Sequence, residues 1–317
     1  MESGRGALKS ACPNPIDFDS LLRIVRVAAL FGPGSSQRNL EPFRFRSDIA
    51  WSCTMPTPSE SRDAVLIFGG DGTVHRHLAC LLQLQVPLLV VPFGSGNDFA
   101  RSLGLRSVQD AIRAWRDFCA GARNSRAIDV GVISHASQPG RLLPPQQTFF
   151  CCVAGVGLDA KVAERANRLP RWLRARGGYA FSLLAVLPGF APLPMTISTG
   201  AAGVWSQHSA GPLMLAAFAN TPMYGGGLRI APRAQLDDGK LDLCLVRGMN
   251  NLELVSLFPI VYFGQHTRLS KVDYFQAENA RIESEIPLQV YADGEPVGAT
   301  PVEVSLRPGA LRVIVPA

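Results

Sequence analysis

Two short apolar runs, each emptying into a glycine turn that carries an acid, constrain this chain more than any other feature. The runs are Ala64–Phe68 and Pro87–Phe93; the turns are GGDGT (Gly69–Thr73) and GSGND (Gly94–Asp98). Both runs are rich in Val, Leu and Ile and end on glycine, which reads as strands buried in a parallel sheet rather than as helix. After each turn the pattern becomes helical, over His75–Leu84 and Asp98–Leu103. Strand, turn and helix in tandem predict an open α/β sheet, and such sheets bind ligands outside the carboxyl ends of their strands. Glycine lets the backbone approach a polyphosphate, and the free N–H groups at a helix start face the anion. Glycine turns also serve geometry alone, so the acids carry more information. Asp71 sits inside the first turn, and Asn97–Asp98 stand beside the Ser95 hydroxyl in the second. A carboxylate facing phosphates makes sense mainly with a divalent cation between them. The turns match neither the Walker pattern nor G-x-G-x-x-G.

GGDGTVHRHL followed by PFGSGNDFARSLG resembles the catalytic domain of the diacylglycerol kinase and sphingosine kinase superfamily, especially its bacterial soluble lipid kinases. GGDGT alone also fits NAD kinases, with a near variant in phosphofructokinases; GSGNDFAR is the lipid kinase form. Ser95 stands where the family usually has Thr and keeps the hydroxyl. The resemblance implies an α/β plus all-β fold. An N-terminal Rossmann-like nucleotide domain of the NAD kinase and phosphofructokinase type would precede a C-terminal β-sandwich-like domain. It implies ATP and Mg²⁺ as cofactors. The nucleotide would face Thr54, Gly69, Gly70, Asp71, Gly72, Thr73, Val74, His75, Arg76, Gly94, Ser95, Gly96, Asn97 and Asp98. For Thr54 the residues alone favour a turn or cap.

At 317 residues the chain is too long for one small domain, and 47% apolar with 18% charged residues is globular composition. The expected division is a flexible tail over 1–20, an ATP-binding domain over 21–130 and a β-rich lipid domain over 131–317. The last strand has the option of returning to the first domain. A net charge of +6 suits an anionic partner. Nothing interleaves aromatics with the basic residues as nucleic-acid modules do, so no nucleic-acid partner is expected. Seven cysteines, an odd number without metal spacing, read as buried thiols in a reducing cytosol. The five histidines form no ligand set; His75 and His77 face different sides of a helix.

The first twenty residues carry Glu2, Arg5, Lys9, Asp17, Asp19 and two prolines, unlike a secretory signal. No apolar run reaches the ~20 residues of a membrane span. Tyr179–Met195 comes nearest and contains three prolines and a glycine. A cytoplasmic protein, peripheral at the membrane surface, is the expectation. The segment with Glu164, Arg165, Arg168, Arg171, Trp172, Arg174 and Arg176, read as helix, suits an anionic bilayer.

Leu21–Phe31 and Ile49–Thr54 read as strands. They flank the loop Gly32–Asn39, where the family usually has an Asn-Pro-x-Ser-Gly turn. Met55–Asp63 is short where the family has a longer helix. Val108–Ala120 reads as a helix, Ala127–Val132 as a strand, Ser134–Gln147 as a loop and Thr148–Ala154 as a strand leading into a turn at Asp159. After Gly200 the pattern is β: Leu213–Ala219, Leu241–Val246, Tyr274–Ile282, Leu288–Tyr291, Val302–Leu306 and Leu311–Val315, with a helix over Asn251–His266.

Two further segments carry the resemblance. In NTPMYGGGLRIAPRAQLDDGKLDLCLV (Asn220–Val246), Asp238 would hold a Mg²⁺ with carbonyls of Gln235 and Lys240. In YADGEPVG (Tyr291–Gly298), Glu295 would be the general base, with Asp293 nearby and Asp71 across the cleft. Each Asp-Gly on its own is an ordinary hairpin signal. The implied activity is transfer of the ATP γ-phosphate to the hydroxyl of a lipid alcohol such as diacylglycerol or a sphingoid base. An NAD kinase-like enzyme and a catalytically silent lipid-binding regulator stay open as alternatives. Oligomeric state stays open too, with a homodimer among the options.

Overall fold

The computed structural model describes residues 25–135, 147–170, 173, 178–201 and 204–317. The tail, Cys12, most of the expected 134–147 loop, Arg171, Trp172, Arg174 and Arg176 lie outside the described residues.

The nucleotide half is built on four parallel strands in the order β4-β3-β1-β2: β1 (Val25–Phe31), β2 (Ile49–Ser52), β3 (Ala64–Gly69) and β4 (Leu88–Pro92). Every residue of β3 up to Phe68 is buried, which explains its unbroken apolar run. Helix α1 (Asp71–Leu84) buries Val74, Leu78, Leu81 and Leu82, the spacing of one helical face, and stops at Gln85 in the left-handed conformation. Helix α2 (Asp98–Ser102) follows β4. Helix α3 (Val108–Cys119) opens on a reciprocal cap between Ser107 and Asp110. Its Trp115 is fully buried, packs on Trp51 and Phe118, and donates its ring N–H to the Phe43 carbonyl at 3.2 Å.

The remaining strands are β5 (Ser125–His135), β6 (Gln147–Phe150), β7 (Val153–Gly157), β8 (Leu193–Ala201), β9 (Val204–Ala219), β10 (Leu241–Arg247), β11 (Val272–Ala277), β12 (Asn279–Glu283), β13 (Gln289–Ala292), β14 (Glu295–Ala299) and β15 (Val302–Ile314). Helix α4 (Leu158–Arg168) follows β7, α5 (Gly178–Val186) precedes β8, and α6 (Asn251–Tyr262) follows β10. These strands pair antiparallel around a second core that includes Phe150, Val156, Ile197, Phe218, Leu243, Val290 and Val304. This is the β-sandwich-like half. β15 pairs with β5 along its length and with β12, and at its far end Val313 sits in parallel register with Leu88 of β4. The last strand thus hydrogen-bonds to both halves.

Several boundaries differ from those read in the sequence, for identifiable reasons. Helix α1 begins at Asp71, four residues before His75, because the second half of GGDGT is already its first turn. Val302–Leu306 and Leu311–Val315 are one strand; Pro308-Gly309 makes a bulge, and the Gly309 N–H donates to Asp129. Tyr274–Ile282 is two strands broken at Glu278, and Thr148–Ala154 is broken at Cys151–Cys152. Asp159 lies in the first turn of α4 rather than in a loop. Strand β8 emerges from the end of the proline-containing apolar stretch. Residues 53–63 contain no regular element, consistent with their short length.

Trp115 is the largest fully buried side chain among the described residues, so Trp115→Ala is expected to cost about 3–5 kcal/mol in urea unfolding. A loss below about 1 kcal/mol would show that the α3 face is not the packed core described.

Candidate active site

The two glycine turns meet. A Cβ on Gly70 would lie 2.6 Å from the Gly94 Cα, and one on Gly94 2.4 Å from the Gly70 Cα. Backbone-to-backbone approach this close admits no side chain on either residue. The Thr73 side chain fills the space next to Gly69 and Gly32, where added Cβ atoms would fall 2.6 and 2.3 Å from its hydroxyl oxygen. Asn97, in the left-handed conformation, folds its amide back on Gly94: it accepts from the Gly94 N–H at 2.7 Å and donates to the Gly94 carbonyl at 2.8 Å. Ser35 ties the first loop in, donating to the Gly32 and Phe68 carbonyls.

Asp71 joins the turns chemically. Its carboxylate accepts from the backbone N–H of Asp98 at 3.1 Å and of Phe99 at 3.0 Å, capping α2 from α1. Burial, and next the charge of Asp98, raise its pKa to about 6. Asp98 is raised as well, chiefly by burial, while the Gly226 N–H and Arg101 pull against that shift. The Gly226 N–H donates to Asp98 at 2.7 Å, bringing the YGGG segment against the second turn.

The β13–β14 hairpin closes from the other half. Asp293 takes a left-handed φ of 51°, and its two oxygens accept from the N–H groups of Cys151 and Cys152, each at 2.8 Å. The same carboxylate lies 3.4 Å from Nδ1 of His75 on α1. Burial alone would lower the His75 pKa; the hydrogen bond to Asp293 and its charge outweigh burial and raise it. Glu295 reaches the first turn: a Cβ on Gly72 would lie 3.0 Å from its Oε1.

Between these walls lies a cleft of about 990 Å³. Asp71, Asp98, Asp159, Asp293 and Glu295 line it, against Arg76 and Arg101. With five carboxyls and two guanidiniums, a polyphosphate is repelled unless cations accompany it. An oxygen-only donor set fits Mg²⁺, which needs one or two carboxylates and takes its other ligands from phosphate and water.

Asp159 is also buried and accepts a hydrogen bond from the Tyr179 hydroxyl, which lies 3.0 Å from the Tyr224 hydroxyl. Burial raises the Asp159 pKa against those two tyrosines. Asp159, Tyr179, Tyr224 and Leu228 also border a narrow apolar cavity walled by Leu183, Leu187, Met214, Leu257 and Val261.

Of the residues singled out in the sequence, Gly70, Asp71, Gly72, Thr73, Arg76, Gly94, Ser95, Gly96, Asp98, Asp293 and Glu295 line this one cleft. His75 and Asn97 act behind it as described. Gly69 ends β3, and Val74 is buried with the core of α1. Thr54 is exposed and does not line the cleft, because β2, the edge strand of the parallel set, ends two residues before it. Gln235, Asp238 and Lys240 form the turn before β10, also away from the lining. There Asp238 accepts from the Lys240 N–H and from Gln276. Arg168, counted in the basic segment, pairs with Glu164 at 2.6 Å. The Tyr179–Tyr224 pair and the amides of Cys151 and Cys152 escaped sequence reasoning, since no local signal marks two tyrosines 45 residues apart as neighbours.

Similarity to known proteins accords with this geometry. The diacylglycerol kinase catalytic domain matches residues 50–133, and the YegS C-terminal NAD kinase beta sandwich-like domain matches residues 152–315. A diacylglycerol kinase of Mycobacterium tuberculosis (strain CDC 1551 / Oshkosh) is 34% identical over 264 residues, covering 81% of this chain and 78% of the relative. A Bacillus anthracis str. Sterne diacylglycerol kinase has a similar structure, with TM-score 0.62, 19% identity, and coverage of 92% of this chain and 97% of that one. An NAD kinase from Archaeoglobus fulgidus in complex with ATP shares the fold, with TM-score 0.50 and 13% identity over 92% of this chain and 94% of that one. The chain belongs to the diacylglycerol kinase family. It is a lipid kinase.

Two predictions test the geometry. Gly70→Ala is expected to push the turns apart and weaken nucleotide binding at least tenfold by calorimetry, with the fold retained by circular dichroism. Near-normal affinity would mean that the contact is not needed. Asp71 keeps its proton up to a pH of about 6 when folded, against 3.8 ordinarily. Between those values the folded state binds more protons, so Asp71 ionisation lowers stability as pH rises through the window. The unfolding free energy of the wild type relative to Asp71→Asn is therefore expected to fall from pH 4 to pH 7. A difference that is flat or rises contradicts a buried, crowded carboxyl.

Proposed function

We propose that this lipid kinase transfers the γ-phosphate of ATP, accompanied by Mg²⁺, to the hydroxyl of a lipid alcohol, with diacylglycerol as the foremost candidate. The observation that carries the reading is the juxtaposition of two spaces. The glycine turns line a cleft, and an apolar cavity shares Asp159, Tyr179, Tyr224 and Leu228 with it. The name of the M. tuberculosis relative supports diacylglycerol. A sphingoid base offers the same hydroxyl on an apolar body.

In this reading the N–H groups of the two turns hold the polyphosphate, with Arg76 and Arg101 as further donors. Asp71 would hold the Mg²⁺ that travels with ATP, whose charge offsets that of the transferring phosphate. A second, structural Mg²⁺ would rest on the turn of Gln235, Asp238 and Lys240. The half-exposed Asp238 carboxylate there keeps lone pairs free for such an ion. Phosphoryl transfer is mostly positioning and electrostatics. Cys151 and Cys152 lock Asp293 in place through both its oxygens, so Glu295, with its carboxylate beside the first turn, is the better-placed proton acceptor for the lipid hydroxyl. Asp293 then orients His75 and the hairpin. The protein would work at an anionic bilayer surface, to which its net charge of +6 is suited.

Incubation of the purified protein with labelled ATP, Mg²⁺ and lipid alcohols in mixed micelles tests the reaction; no labelled lipid from any of them would end this reading. Glu295→Gln is expected to lower transfer roughly 10²–10⁴-fold with ATP affinity little changed. A fall of less than about tenfold would assign Glu295 to orientation rather than to proton removal.

A further inference from the structure

We propose that α5 and the C-terminal end of α6 form a single bilayer-docking edge, through which the lipid reaches the cleft. The inference rests on the lipid kinase reading and locates where such an enzyme meets its substrate. Eight large apolar side chains are exposed among the described residues, and four of them, Phe181, Leu184, Tyr262 and Phe263, belong to this edge. Phe181 is 56% exposed and Phe263 72%.

Their inward neighbours on the same helices line the apolar cavity: Tyr179 and Leu183 from α5, Leu257 and Val261 from α6. α5 and the last turn of α6 are therefore apolar both at the cavity and at the surface. A water-facing helix keeps a polar outer face, whereas one touching lipid has no need of it. Tyr262 belongs to both surfaces, since it is exposed at the edge and lines the cleft.

Charge favours a lipid surface over water or a second protein. No residue from 178 to 201 is charged, and 262–269 contains no acid. Exposed Arg229 lies beside Gly264, the residue after Phe263, and exposed Arg268 follows in the same turn. Apolar tips flanked by arginines match the headgroup boundary of an anionic leaflet. No described helix is long and apolar enough to cross a membrane, and α5 has only nine residues, so the edge dips into one leaflet. The cavity behind it is small, about 60 Å³. An acyl chain entering there would widen the space that α5 and α6 both line, which costs least where lipid rather than water covers newly exposed apolar walls.

The test is co-sedimentation with vesicles of phosphatidylcholine containing phosphatidylserine. The double variant Phe181→Ser/Phe263→Ser is expected to bind at least about tenfold more weakly, from the loss of two buried aromatics. The control Val204→Ser/Ile286→Ser, which removes exposed apolar residues elsewhere, is expected to match the wild type, and thermal unfolding of both variants to be unchanged. Binding of the double variant within about twofold of the wild type overturns the proposal. So does a wild type that binds no vesicle, or a concentration-dependent dimer abolished by the double variant, which would make a second copy the occupant. Transfer to lipid in detergent is measured in parallel. Transfer without vesicle binding overturns the docking edge alone; vesicle binding through this edge without transfer overturns the substrate reading alone.

Discussion

The hydrogen bonds from the N–H groups of Asp98 and Phe99 to the Asp71 carboxylate hold together much of what the molecule does. They fasten the start of α2 to the start of α1, and so press the two glycine turns into backbone contact at Gly70 and Gly94. The cost is a buried carboxyl crowded by Asp98, with a pKa raised to about 6.

A second carboxylate does similar work between the halves. Asp293 is fixed by two backbone N–H groups at the bend between β6 and β7, and from there it meets His75 on α1. Strand β15 runs from the sandwich-like half into the parallel sheet, beside β4. The cleft walls are thus held by a side-chain contact at the site and by shared sheet behind it. Asp129 reinforces this seam, accepting from the N–H groups of Gly239 and Gly309, one in the turn before β10 and one in the bulge of β15.

From the glycine turns toward the apolar cavity the chemistry changes from charge to apolar surface within a few residues. Asp159, Tyr179 and Tyr224 stand at the change. Their phenols satisfy a carboxyl that would otherwise be costly to bury. Beyond them, α5 and the last turn of α6 carry apolar side chains both at the cavity and at the surface.

The sequence by itself determined the elements whose signals are local. Unbroken apolar runs can only be buried strands or helices, so β3 and β4 were legible, and glycine turns bearing Asp71 and Asp98 marked the candidate ligand end of the sheet. Family resemblance added the second domain and the candidate base. Tertiary structure alone decided that Gly70 touches Gly94, that Asp293 is held by Cys151 and Cys152, and that Tyr179 meets Tyr224. These contacts join residues 24 to 142 positions apart, and no periodicity encodes which of two distant turns will face each other. It also decided that Pro308-Gly309 is a bulge within one strand rather than a turn between two. A proline-glycine pair permits either outcome, and the choice fell to Asp129, waiting on β5 to accept the Gly309 N–H.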